Sequence, residues 1–297
     1  SDFFIFGSWR KYSFRYKTML VKPVGIVFAQ INPSSSKSFK IMKKTLALVF
    51  LLSSFSAIGK HHGDKKPMKA FMITGGCCHD YPNQKNIISE GISERVPTKW
   101  DIFFEMDEKK SKARLNKKGW ADGYDYIVYN HCFAHEKDAE FVKSIADIHK
   151  AGKPAIALHC AMHSYHWSIP AKEGEKKAWP EMLGASSKGH GPKAAITVNK
   201  VKKHANHPIM KDMPDGWLTP EGELYNVQQV YEGTTVLAYG DNGANKNPKE
   251  PQACAWINTH GKGRIFSTTL GHHNSTMSTM EYLDMLGNAV RWVTNKK

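Results

Sequence analysis

Four apolar runs of this chain each end in a histidine: residues 70–80 (AFMITGGCCHD), 125–132 (DYIVYNHC), 155–163 (AIALHCAMH) and 264–273 (RIFSTTLGHH). Short β-branched and aromatic runs that alternate with helical stretches read as parallel strands of an α/β sheet. Ligands of such a sheet bind outside the carboxyl ends of its strands. The pattern therefore predicts a fold and a place within it. Four histidine-bearing strand ends are expected to meet along one edge of the sheet.

The rest of the pattern agrees with this. Residues 69–74, 100–104, 124–130 and 155–159 read as strands. Helices are expected over 84–95 and 137–151, where Gly152 supplies the stop and Pro154 opens the next strand. Helical pieces and loops cover 161–184. Strands then follow over 194–199, 222–227, 234–239, 253–258 and 264–269. Residues 240–251 (GDNGANKNPKEP) form a polar loop, and a helix over 280–293 closes the chain. The β-α order of the first half predicts a mainly parallel sheet with helices on both faces, and extra β-strands in the second half.

The first sixty residues stand apart from this fold. Residues 42–59 begin with Lys43 and Lys44, pass through an apolar core over 46–52, and end in the small residues Ser56, Ala57 and Gly59. This is the pattern of a secretory signal peptide, cleaved between Ala57 and Lys60. The apolar core is too short for a permanent membrane span. Residues 1–41 read as upstream, non-native translation, and residues 60–297 as a single α/β domain. The expected location is periplasmic or secreted. The full chain carries 42 Lys+Arg against 27 Asp+Glu, a net +15. Residues 1–59 hold nine of the basic residues and one acid, which leaves 33 against 26, or +7, for the rest. Basic residues do not interleave with aromatics, so no nucleic-acid partner is expected.

Candidate chemistry gathers at the predicted strand ends. ITGGCCHDY (residues 73–81) is a strand and a glycine turn followed by His79 and Asp80, which suit acid/base work or metal ligation. It is not a GxGxxG motif, so no nucleotide cofactor is expected. His131 ends the second run. IALHCAMHSYH (156–166) places His159 and Cys160 where a strand turns into a helix, with His163 four residues beyond His159. Cys160 sits where class I glutamine amidotransferases carry their nucleophile. It lacks their flanking glycine, and the chain lacks their His-x-Glu dyad near the C-terminus. PEGELY (220–225) sets Glu221 and Glu223 beside a strand. HGKGRIFSTTLGHH (260–273) delivers His272 and His273. The five cysteines (Cys77, Cys78, Cys132, Cys160, Cys254) show no CxxC spacing, and no bridge can be assigned among them.

Taken together, ITGGCCHDY, YNHCF, ALHCAMH, the HPIM turn (207–210), GELY and GKGRIFSTTLGHH resemble the ThuA-like, or trehalose-utilisation, family of the class I glutamine amidotransferase-like superfamily. The resemblance spans residues 67–292. It implies a flavodoxin-like three-layer sandwich without the amidotransferase triad, and a role in catabolism of oxidised (keto) disaccharides. Many members carry glycine where this chain has Cys160. The expectation is an exported carbohydrate-processing protein with His79, Asp80, His131, His159, Glu223 and His272 as catalytic candidates. Tyr81, Cys160, His163, Trp167, Tyr225 and His273 are expected around the sugar. A divalent Zn, Mn or Ni ion is expected on some of His79, His159, His163, Glu223 and His272. The alternatives are a non-catalytic periplasmic sugar-binding protein and a cysteine hydrolase using Cys160. The sequence leaves the oligomeric state open.

Overall fold

The histidine-ended runs become strands that finish along one edge of a sheet. The computed structural model describes residues 66–165, 177–243 and 251–295, all within one compact unit, His62–Lys297. The stretch 1–41, the expected signal peptide over 42–59 and Trp167 lie outside the described residues, as does most of the expected polar loop 240–251.

β1 (Met68–Gly76), β2 (Thr98–Glu105), β3 (Tyr126–Cys132) and β4 (Ala155–Leu158) are parallel, in the order β2-β1-β3-β4. Helix α1 (Tyr81–Arg95) links β1 to β2, α2 (Glu108–Leu115) follows β2, and α3 (Ala139–Lys150) precedes β4. After α4 (Ala178–Leu183) the chain forms β5 (Ala185–Lys193), β6 (Thr197–Lys200), β7 (Trp217–Leu218), β8 (Glu223–Val230), β9 (Thr235–Asp241), β10 (Gln252–His260) and β11 (Gly263–Thr268). β11 lies parallel to β4. From it the sheet continues antiparallel through β10, β9, β6 and β7, making nine strands among the described residues. β5 and β8 pair separately as an antiparallel ribbon. Helices α5 (Asn274–Met277) and α6 (Met280–Val293) end the fold.

β1, β3 and β4 are covered on both faces, which is why they read as unbroken apolar runs. Alternate side chains go to opposite layers. Met72, Val128 and Ile156 pack under α1 and α6, with Ile88, Ile92, Leu286 and Val290. Phe71, Ile127 and Tyr129 pack under α3 and α4, with Val142, Ile145, Trp179 and Leu183. The result is the three-layer, flavodoxin-like sandwich.

Three elements depart from the expected pattern. α1 begins at Tyr81 rather than residue 84, because Pro82 is accommodated in a first helical turn. α2 (EKKSKARL) buries only Ser111 and Leu115 and so has no apolar period to reveal it. Asp107 starts it instead, its carboxylate accepting from the backbone N–H of Lys109 and Lys110. β5 (ASSKGHGPK) contains no β-branched residue, and its strand character comes from pairing with β8.

Candidate functional site

Each strand end turns in its own way to deliver a side chain. β1 ends in Gly75 and Gly76, both at positive φ. A Cβ on Gly76 would lie 2.1 Å from the carbonyl oxygen of Cys132, so only glycine lets β1 and β3 approach this closely here. His79 follows that turn. β4 runs directly into a 3-10 helix, His159–His163, and His159 itself takes φ 42°, the left-handed region that a non-glycine side chain rarely adopts. The strained elbow residue is thus His159, and Cys160 comes after it. Beyond β11, Gly271 at φ 99° turns the chain so that His272 points back over the edge. Glu223 opens β8.

These four side chains converge. His79 Nε2 lies 2.9 Å from His272 Nδ1, and His159 Nε2 lies 3.1 Å from the same atom. Glu223 Oε2 is 3.2 Å from His272 Nδ1 and 3.4 Å from His159 Nε2. The donor atoms of His79, His159, Glu223 and His272 all fall within 4.8 Å of one another. His159 and Glu223 are buried.

The protons of this cluster do not suffice for its contacts. His159 Nδ1 sits 2.6 Å from the carbonyl oxygen of Thr269 and must donate to it, because a carbonyl only accepts. Burial lowers the His159 pKa, and the ring is neutral near pH 7. Its Nε2 therefore presents a bare lone pair to the Glu223 carboxylate. His272 Nδ1 can carry one proton yet faces His79, His159 and Glu223 at once. Burial also lowers the pKa of His79. Burial pushes Glu223 the other way, but its close contacts with the His159 and His272 rings outweigh it and keep the carboxyl ionised, well below the usual range. Three imidazoles and a carboxylate with inward lone pairs form a donor set for a borderline divalent cation. The outer contacts match that role: His159 is oriented by the Thr269 carbonyl, and His79 Nδ1 lies 3.2 Å from Tyr81 Oη.

The surrounding residues sort by function. Tyr81, Cys132 and Cys160 pack together behind His79. A hydrogen bond with Cys132 and then burial raise the Cys160 thiol far above its ordinary pKa, so it stays protonated and a poor nucleophile. Tyr225 is pressed between His159, at 4.5 Å between ring centroids, and His163, stacked at 4.0 Å. His163 turns away from the cluster to Ser187 Oγ at 3.1 Å, since a 3-10 helix does not bring i and i+4 to one face. Asp80 accepts from the side-chain amides of Asn83 and Asn274, tying the start of α1 to the start of α5. Asp80, Lys193, Glu221, His272, His273 and Ser275 line an open cleft of about 640 Å³.

His131 goes elsewhere. Along β3 successive side chains alternate, so Cys132 reaches the cluster side and His131 enters the opposite layer. There its Nδ1 meets Ser164 Oγ at 2.8 Å, its ring stacks on Phe133, and its Nε2 has no hydrogen-bond partner among the described residues.

Two features were not anticipated from the sequence. His190 Nδ1 lies 3.3 Å from Glu223 Oε1 and 2.9 Å from the Gly191 carbonyl. Only the pairing of His190 with Tyr225 across the ribbon brings it there, and the surrounding GHG gives no strand signal. Cys77 and Cys78 are joined by a disulfide immediately before His79.

The family model described as ThuA, trehalose utilisation, matches residues 69–293. A putative ThuA-like protein from Bacteroides uniformis ATCC 8492 is 16% identical, with a TM-score of 0.57, covering 78% of this chain and 93% of its own. At that identity the likeness speaks for the fold. The cold-adapted β-galactosidase of Rahnella sp. R3 follows at 11% identity and a TM-score of 0.47, covering 74% of this chain and 31% of the other. A cytoplasmic protein from Salmonella typhimurium LT2 gives 11% and 0.45, covering 76% and 99%. No curated protein matches the chain.

Proposed function

The chain belongs to the ThuA family of trehalose utilisation, and from that premise we propose that it is an exported carbohydrate-processing enzyme that acts on keto-sugars at a metal-assisted acid/base site. The observation that carries the reading is the meeting of His79, His159, Glu223 and His272, with the His159 proton fixed on the outward nitrogen by Thr269. These four residues would hold a divalent ion such as Zn, Mn or Ni. Bound there, the ion would supply Lewis-acid polarisation of a substrate oxygen.

The chain's own groups do the rest. The carboxylates of Asp80 and Glu221 are held ionised, Asp80 first by Asn83 and Glu221 first by Ser275. Both line the cleft and would accept hydrogen bonds from sugar hydroxyls. A keto group makes the neighbouring C–H acidic, and His273 or Glu221, which line the cleft, would take that proton. Isomerisation, epimerisation and β-elimination all begin with that step. Export rests on the basic and apolar pattern of residues 42–59, and a native N-terminus between residues 58 and 61, read by mass spectrometry, is its check.

The test is a panel of 3-keto-glycosides beside their unoxidised parents, using wild type, chelator-stripped and metal-reloaded protein. The proposal predicts turnover of keto substrates alone, lost on stripping and restored by one of the three metals. Undiminished turnover by stripped protein contradicts the metal role. Saturable sugar binding without turnover in any sample makes the chain a binding protein.

A further inference from the structure

The main sheet has two unlike edges. At one, β7 is two residues long. At the other, β2 runs for eight residues in unbroken parallel register with β1, from Met68 opposite Thr98 to Gly75 opposite Glu105. β2 contains no proline and no bulge, and its outer side has no neighbouring strand among the described residues. Folds usually protect an edge of this kind by shortening, kinking or covering it, because its free N–H and C=O groups are a template for another strand. The side chains add to the invitation. Ile102 and Phe104 are 38% and 39% exposed, and Met106, just beyond the strand, is 51% exposed. Residues 102, 104 and 106 alternate with their neighbours and so share one face.

We propose that β2 pairs antiparallel with β2 of a second copy of this chain, about a two-fold axis through Ile102, so that one sheet runs through both copies. Such an interface must be self-complementary, because the same residues serve both sides. An axis perpendicular to the sheet keeps each face on its own side, so it passes through a residue rather than between two. Centred on Asp101, the pairing sets Asp101 against its own copy. Centred on Phe103, it sets Asp101 against Glu105. Centred on Trp100, it leaves residues 103–105 beyond the facing strand. Centred on Ile102, it sets Lys99 against Glu105 of the second copy, twice over, with no like charges opposed. The same register places Ile102 on Ile102 and Trp100 on Phe104, while Asp101 remains bonded to Tyr124 Oη at 2.6 Å. Charge and apolar pattern select the same axis.

Sedimentation velocity of the full chain over a dilution series tests this. Wild type should show a monomer–dimer equilibrium. Lys99→Glu, which opposes four carboxylates in two pairs, should raise the dimer Kd about tenfold or more. Adding Glu105→Lys to that variant reverses both charges and should restore the wild-type Kd. Ile102→Cys should form an intermolecular disulfide under mild oxidation, because residue 102 meets itself at the axis. Far-UV circular dichroism checks that each variant is folded. A monomer at every concentration overturns the proposal, and an edge covered by the chain's own segment 1–61 would give that result. A dimer indifferent to Lys99→Glu, or one that the double variant fails to restore, overturns it as well.

Discussion

His159 and His131 both end apolar strands and are both buried, yet the structure uses them in opposite ways. His159 spends its one proton on the Thr269 carbonyl and turns a bare nitrogen toward Glu223, His79 and His272. His131 is enclosed by aromatic rings, and the equally buried His149 packs edge-on against Tyr129. His149 is satisfied on both nitrogens, by Tyr129 Oη at 2.7 Å and the Lys153 carbonyl at 2.7 Å. Burial pushes His131 down to about 3 and His149 down to about 4. The lesson is that burial alone does not make a histidine functional. A second carboxylate or imidazole on its free nitrogen does, and that depends on which face of the strand the ring leaves from.

The contrast predicts unequal consequences of substitution. The largest effect is expected at the converging residues. His159→Ala and Glu223→Gln should each lower turnover of the proposed keto-sugar substrate roughly a hundredfold or more, the scale for deleting an acid/base or ligating group. His131→Leu should stay within a few-fold of wild type. Equal losses in steady-state kcat/KM for His131→Leu and His159→Ala would erase the distinction.

Next comes pH. A histidine neutral in the fold and free to protonate when unfolded contributes stability that is complete above the unfolded value of 6.5 and is lost as pH falls toward the folded value. His131 and His149 should each cost about 1.4 kcal/mol per pH unit below 6.5, levelling off near 3 and 4 respectively. Denaturant melts from pH 7 to 4 should show this slope, and His131→Leu should flatten it. An unchanged slope in that variant would mean the ring is not held neutral.

A smaller effect is expected at His149→Leu, which strands the buried Tyr129 hydroxyl and should cost about 1–3 kcal/mol. Adding Tyr129→Phe should return part of that loss, because no orphaned donor remains. A double variant no more stable than His149→Leu would count against the hydrogen-bond account. The smallest effect is expected at Cys160→Gly. Its thiol is protonated and behind His79, so most activity should survive, and iodoacetamide should not inactivate wild type. Full inactivation by either route would revive the thiol reading.

How much of this was legible in the sequence follows from the same physics. The parallel half announced itself, because doubly covered strands such as β1, β3 and β4 must be apolar throughout. The points where strands begin and end followed from Gly76, Pro154 and the GHH after β11. His79, His159, Glu223 and His272 were therefore within reach, and Cys160 could be set aside by its neighbours. What alternation decides was harder to read. A one-residue difference in where β3 leaves the sheet sends Cys132 to the cluster side and His131 to the core. His163 lost its place through a 3-10 turn where an α-helical spacing had suggested proximity. His190 was out of reach, since a strand made of ASSKGHGPK owes its existence to the partner it pairs with.

The most direct test of the account is metal stoichiometry, measured by elemental analysis of tag-free wild type, His131→Leu and His159→Ala after dialysis against one divalent metal. The account predicts close to one ion per chain in wild type and His131→Leu, and a large loss in His159→Ala. Metal-free wild type, or metal retained in His159→Ala and lost in His131→Leu, would contradict it.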